Sequence, residues 1–254
     1  MNDESELARG DVQLETPSGS MFLYENPQLL TKEEHGELGM CTPLSPYEFT
    51  RTISSIPLVA AEISSAQKHF PVVFSGKERP LPLAIVGLNN DGNLFLNAEG
   101  QWEALCYIPS YLRRHPFALA EGADDKFALV IDRASNAVSD DPDFPFFEGT
   151  ELSEKTQSMV NFCGQYESER KRTDAFMQKL NELDLLSLQE VSTKTDNSDT
   201  PLANYYGVDV EKFSKLAPEQ LAELHSQGYM TFIFAHLFSM ENWNRLIERS
   251  RLRG

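Results

Sequence analysis

Apolar positions change their spacing near residue 70 and again near residue 150, and these two changes divide the chain. Up to residue 44, acids, Gly and Pro alternate without a sustained period (TPSGS, TPLSP), which predicts an N-terminal arm ahead of one domain over 45–254. In SSIPLVAAEISSAQKHFP, Ser55 precedes Pro57, and Leu58, Val59, Ile63 and Ala66 follow at helical steps. A helix is therefore expected from Pro57 until Pro71 stops it, with Glu62 among its apolar neighbours. From Pro71 the runs PVVF, LAIVGL, NLFLNA, FALAE and KFALVID are short and bounded by turn clusters, NNDG being a hairpin signal. They predict an antiparallel, meander-like sheet of about five strands with helices packed on it, filling a sheet-rich part at 45–150. The acidic loop SNAVSDDPDFPFFEG follows, pinned by Phe144, Phe146 and Phe147.

Beyond Thr150 the period becomes helical. Met159, Phe162, Cys163, Tyr166, Phe176, Met177, Leu180 and Leu183 recur at steps of three and four, with ESERKR on the exposed side. STKTDNSDTP (192–201) reads as a polar connector or weak hairpin. Pro218 opens a helix and Gly228 stops it. In a last helix Tyr229, Phe232, Ile233, His236, Met240, Trp243 and Ile247 share one stripe, and its first two turns, apolar all round, are expected to be buried. The class is α+β with a helix-rich part at 151–254.

Composition removes several functions. The hydrophobic fraction of 41% over 254 residues supports a core, but the longest apolar run, Tyr229–Phe238, is too short to cross a bilayer. A permease and a membrane partner are excluded on that ground, and the acidic start MNDESELARGDVQLE is unlike a secretory signal, so a cytoplasmic location is expected. Cys41, Cys106 and Cys163 are too sparse for a disulfide framework and are read as reduced thiols. A net charge of −17 opposes nucleic-acid binding; Arg245, Arg249, Arg251 and Arg253 close the last helix, where cations answer its dipole. There is no phosphate-binding glycine loop, G-x-S-x-G, H-E-x-x-H or C-x-x-C, and the five histidines are scattered singly. Neither a metal nor another cofactor is expected.

What remains is CYIPSYLRRHPF (106–117). Pro109 suits a helix start and Pro116 biases His115 out of the helix, so about one and a half turns fit between them. At 100° per residue Ser110, Arg113 and Arg114 share one arc, while Tyr111, Leu112 and His115 turn to the other side. Two guanidinium forks and a hydroxyl suit a carboxylate or phosphate, with Tyr107 and Phe117 near for stacking. The same arginines also answer a helix C-terminus or pair with Asp132 or an acid of the 139–154 loop. Asp132 ends the strand KFALVID; it can bind a ligand, cap the following turn or, as the first expectation, pair an arginine. His236 lies on a buried stripe, as a hydrogen-bonded core residue or a titratable group in a pocket.

YIPSYLRRHPF resembles a signature of the SapC family of bacterial proteins, as do ISSIPLVAAEISSAQKHFPVVF, LAIVGLNNDGNLFLNAEGQW, FALVID and HSQGYMTFIFAHLFSMENWNRL in order and spacing, over roughly residues 44–252. The resemblance singles out Pro109, Tyr111, Arg113, Arg114, Pro116 and Phe117, with Glu62, Asp132, His236 and Ser239 from the other segments. His115 departs from the tyrosine common there. The resemblance also implies a gene neighbourhood of uptake receptors and halogenase-like proteins, hence a role accessory to an uptake or modification pathway. The leading expectation is binding of an anionic small molecule, glycan, peptide or partner protein through the Arg113/Arg114 face. One alternative is an enzyme whose pocket joins that pair to Glu62, Asp132 or His236 as acid or base. Another is a structural adaptor whose arginines serve only the fold.

Overall fold

Backbone pairing gathers runs that lie far apart in the sequence. The computed structural model describes residues 21–88, 91–121, 127–195 and 198–253. Its main strands are β1 (Pro27–Leu29), β2 (Ser55–Pro57), β3 (Val72–Phe74), β4 (Pro82–Ile85), β5 (Phe117–Glu121), β6 (Phe127–Asp132), β7 (Leu186–Thr195) and β8 (Ser198–Val208). Its main helices are α1 (Ile63–Ala66), α2 (Ser110–Arg113), α3 (Glu154–Glu182), α4 (Val210–Ser214), α5 (Pro218–Ser226), α6 (Tyr229–Ser239) and α7 (Asn242–Arg253).

The α+β class and a five-stranded antiparallel sheet are borne out, but the sheet recruits different strands. Its order is β7-β8-β3-β4-β2, while β6 pairs with β5 on one side and β1 on the other in a separate sheet of order β1-β6-β5. Of residues 192–201, read as a polar connector or weak hairpin, 192–195 and 198–201 pair with one another in the long β7–β8 hairpin, whose register shifts between Val191 and Ser192. The expected helix from Pro57 is corrected: Ser55–Pro57 is an edge strand, where a proline without N–H is tolerated, and a 3-10 turn at Ala60–Glu62 leads into α1. NLFLNA forms no regular strand; it turns inward, burying Leu94, Phe95 and Leu96, and keeps a single bridge from Leu96 to Trp102. Asn89 and Asn90 of the NNDG turn lie outside the described residues.

Helix α3 starts where Ser153 accepts a hydrogen bond from the Thr156 N–H, and it runs for 29 residues. The single last helix of the sequence reading is two, because Asn242 turns its amide back to the Gln67 and Phe70 carbonyls after α1. The core lies between the five-stranded sheet and the helices, centred on Ile56, Ile63, Phe70, Phe74, Phe176 and Leu180. A smaller cluster of Leu38, Phe117, Ile131, Phe146 and Cys163 sits where β5 and β6 meet α3. Of the three phenylalanines expected to pin the acidic loop, Phe146 is fully buried and Phe144 is 38% exposed. Among the described residues no helix is long and apolar enough to cross a membrane.

Phe70 packs edge-on against Phe95 at 4.6 Å with no exposure. Phe70→Ala is expected to cost about 3–5 kcal/mol in urea denaturation. Phe144→Ala should cost less than about 1 kcal/mol.

Candidate functional site

The corner between Ile108 and Phe117 is held from below by one carboxylate. Glu62, buried at the end of its 3-10 turn, receives the Ser110 N–H and the Tyr107 hydroxyl on one oxygen, each at 2.6 Å, and the Val59 N–H on the other at 3.1 Å. A helix N-terminus leaves N–H groups without intrahelical partners, and Glu62 supplies one for α2 from a distant segment. Burial, with the Glu62 carboxylate beside it, pushes the Tyr107 phenol up to about 12, so it stays a hydrogen-bond donor at neutral pH.

Arg113 sits on the exposed side of this corner. Its Nε donates to the Ile108 carbonyl at 3.0 Å and its Nη2 to Ser110 Oγ at 2.8 Å. The guanidinium lies 5.2 Å from the Phe162 ring centroid and 5.9 Å from that of Tyr107. Among the described residues it makes no ion pair, and its outer Nη1 end is not taken up by these bonds.

Arg114 goes the opposite way. It is buried between the rings of Tyr111 and Tyr166, 4.3 and 4.5 Å from their centroids, with Tyr24 at 5.9 Å. Nη1 donates to Glu167 at 3.2 Å, and Glu167 is itself held by Arg170 at 2.6 Å. Burial drives the phenols of Tyr24 and Tyr166 upward, leaving neutral rings whose faces attract the cation. Ser110, Arg113 and Arg114 share an arc at their Cα atoms, yet their end groups diverge, because a long side chain goes where its charge is met.

The remaining predicted residues hold the fold. Among the described residues Asp132 pairs with no arginine; it accepts the N–H groups of Asn26, Glu25 and Ala134 at 2.9, 3.1 and 3.2 Å, and His115 Nε2 lies 3.3 Å away. Burial would raise this carboxyl, but those donors outweigh it and hold it below the usual carboxylate range. Burial lowers His115, whose ring stacks on Phe49 at 4.0 Å, so a neutral imidazole donates to an anionic Asp132. Tyr111 donates to the Phe22 carbonyl, and Phe117 packs edge-on to Phe146. His236 is far from exposed: Nε2 accepts from the Val208 N–H at 3.0 Å and Nδ1 donates to the Val72 carbonyl at 2.7 Å. Ser239 completes this clamp by accepting the Val72 N–H.

Ser110, Tyr107, Glu62 and Arg113 thus converge, whereas Asp132 joins His115 and His236 joins Val72 and Val208. Sequence reasoning missed Phe162 and Glu167 as parts of the corner. Glu167 was placed with the exposed charges of ESERKR, although it follows Cys163 by one helical turn and so falls on the buried stripe. Among the described residues no group of three or more His, Cys, Asp or Glu is arranged to hold a metal.

A family model described as SapC matches residues 30–246. No curated protein and no solved structure matches the chain.

Two measurements separate the roles of these side chains. Arg114→Met leaves Glu167 with Arg170 alone and removes the cation from between the Tyr111 and Tyr166 rings; it is expected to cost about 2–3 kcal/mol in denaturant, while Arg113→Gln stays within about 1 kcal/mol of the native protein. Burial lowers His236 to about 4, below its unfolded value near 6.5. The unfolded chain then binds the extra proton first, so this contribution is complete above about pH 6.5 and is lost as pH falls toward 4. Urea midpoints from pH 7 to pH 4 should report a loss of roughly 3 kcal/mol from this group, and His236→Gln should flatten that limb.

Proposed function

The chain belongs to the SapC family, and on that premise we propose that it binds the carboxylate or phosphate group of a small molecule, glycan or peptide through Arg113. The observation that carries this reading is a guanidinium fixed on its inner edge by Ile108 and Ser110, flanked by Phe162 and Tyr107, and without an acidic partner among the described residues. An arginine already oriented loses less conformational freedom when a planar anion meets its free end. In a chain of net charge −17, a cation left without a carboxylate is a place where an external anion meets attraction and not repulsion.

Arg114 takes no direct part in this reading. It is a positioning residue that locks the corner to α3, as Glu62 locks it to the 3-10 turn. Binding fits better than acid–base catalysis: Asp132 and His236 spend their polar atoms on the backbone and on His115, and a general acid or base must instead face the proton it moves. The expected place in an uptake or modification pathway is consistent with capture of an anionic compound and stays part of the proposal.

Calorimetric titration with inorganic phosphate and with galacturonate tests it. Saturable binding by the native protein is expected. Arg113→Gln should weaken it by about 10- to 100-fold, the loss of a charge-assisted hydrogen bond, with the melting temperature nearly unchanged. Equal binding by both proteins, or no saturable binding of either probe, would overturn the reading.

A further inference from the structure

Helix α6 has the composition of an interior helix: of its eleven residues, YMTFIFAHLFS, only Thr231, His236 and Ser239 carry a polar side chain other than the Tyr229 phenol. The five-stranded sheet covers the side that bears Ile233 and His236. The other side stays open, with Phe234 40% and Phe238 64% exposed. Their rings stack at 6.4 Å, and Phe213 of α4 stands edge-on to Phe234 at 5.9 Å. The expectation that the first two turns are buried is corrected for Thr231 and Phe234, which lie on this exposed strip while Ile233, Ala235 and His236 are buried.

Beside α6 runs a groove of about 620 Å³, bounded by the start of α4 and by β7, the outer strand of its sheet. Leu237, Met240 and Val210 give it apolar walls, and Val210 is itself 57% exposed. Phe234 and Phe238 do not line the groove, but α6 carries both them and the groove's Leu237, with Met240 as its C-cap, and an exposed apolar strip on a helix that also walls a groove marks an interaction surface.

Charge selects the occupant. The charged residues lining the groove, Asp209 and Glu211, are both acidic, and the exposed Glu241 follows at the end of α6. Lys212 is engaged with Asp184 at 2.6 Å, and Lys215 comes only within 3.7 Å of Glu211. A second copy would bring the same acids and its own charge of −17 against this face, and an anionic lipid surface would be repelled likewise.

We infer that the α4–α6 face docks a segment of a partner protein whose apolar side chains cover Phe234 and Phe238 and enter the groove, and whose flanking lysines or arginines meet Asp209 and Glu211. The aromatic pair supplies the buried centre of the contact and the acids supply orientation and encounter rate. This surface is independent of Arg113.

The test pans a random phage library of peptides about 16 residues long, enough for four helical turns, against the intact chain. Enriched peptides are then measured by fluorescence anisotropy, and sedimentation velocity follows the chain's own state. Enriched peptides should be basic and rich in Leu, Ile and Phe. Phe238→Ser should weaken them at least about tenfold and Glu211→Lys several-fold, both variants melting like the native protein because the positions are exposed. Failure to enrich, enrichment of acidic peptides, equal binding by Phe238→Ser, or a dimer that Phe238→Ser dissociates would each overturn the assignment.

Discussion

A guanidinium buried away from water must find its compensation within the protein, and the burial of Arg114 organises much of this molecule. Its four partners come from three places in the chain: Tyr24 from the segment before β1, Tyr111 from α2, and Tyr166 and Glu167 from adjacent positions of α3, with Arg170 closing the far side of Glu167. Satisfying one charge therefore fixes the N-terminal segment, the proline-bracketed corner and the long helix against one another. The three-stranded sheet is drawn into the same arrangement, because Tyr24 also donates to the Phe117 carbonyl at the start of β5.

Four other buried polar residues, Glu62, Asp132, His236 and Ser239, follow a related rule: they serve backbone groups of segments they bring together. Glu62 takes the N–H groups of Val59 and Ser110, Asp132 those of Glu25, Asn26 and Ala134, and His236 with Ser239 both polar groups of Val72. Each joins segments distant in sequence. Residues that look chemically capable are in this way spent on architecture, which leaves Arg113, held but not neutralised, as the group turned outward.

The class of the fold was legible because the hydrophobic period changes from two to three and four along the chain. The composition of the sheet was not: STKTDNSDTP has no apolar alternation, so the pattern left a connector and a weak hairpin both open, and the length of the β7–β8 backbone ladder was not announced by its side chains. The corner itself was legible from Pro109 and Pro116, which restrict the backbone whatever surrounds them. The destinations of its two arginines were not, since a helical projection gives the direction of Cα and not that of a guanidinium several bonds away. Glu167 was hidden for a similar reason, a single acid of the buried stripe inside a run of charge.

The β7–β8 hairpin meets the rest of its sheet at its base, where Tyr206 lies opposite Phe74. Farther out, residues 192–195 are paired with residues 198–201. In mechanical terms it is a beam clamped at one end. Among the described residues Tyr206 gives β8 its one register pair to β3, so a change in the length of the β7–β8 ladder away from that pair alters the register of no other strand.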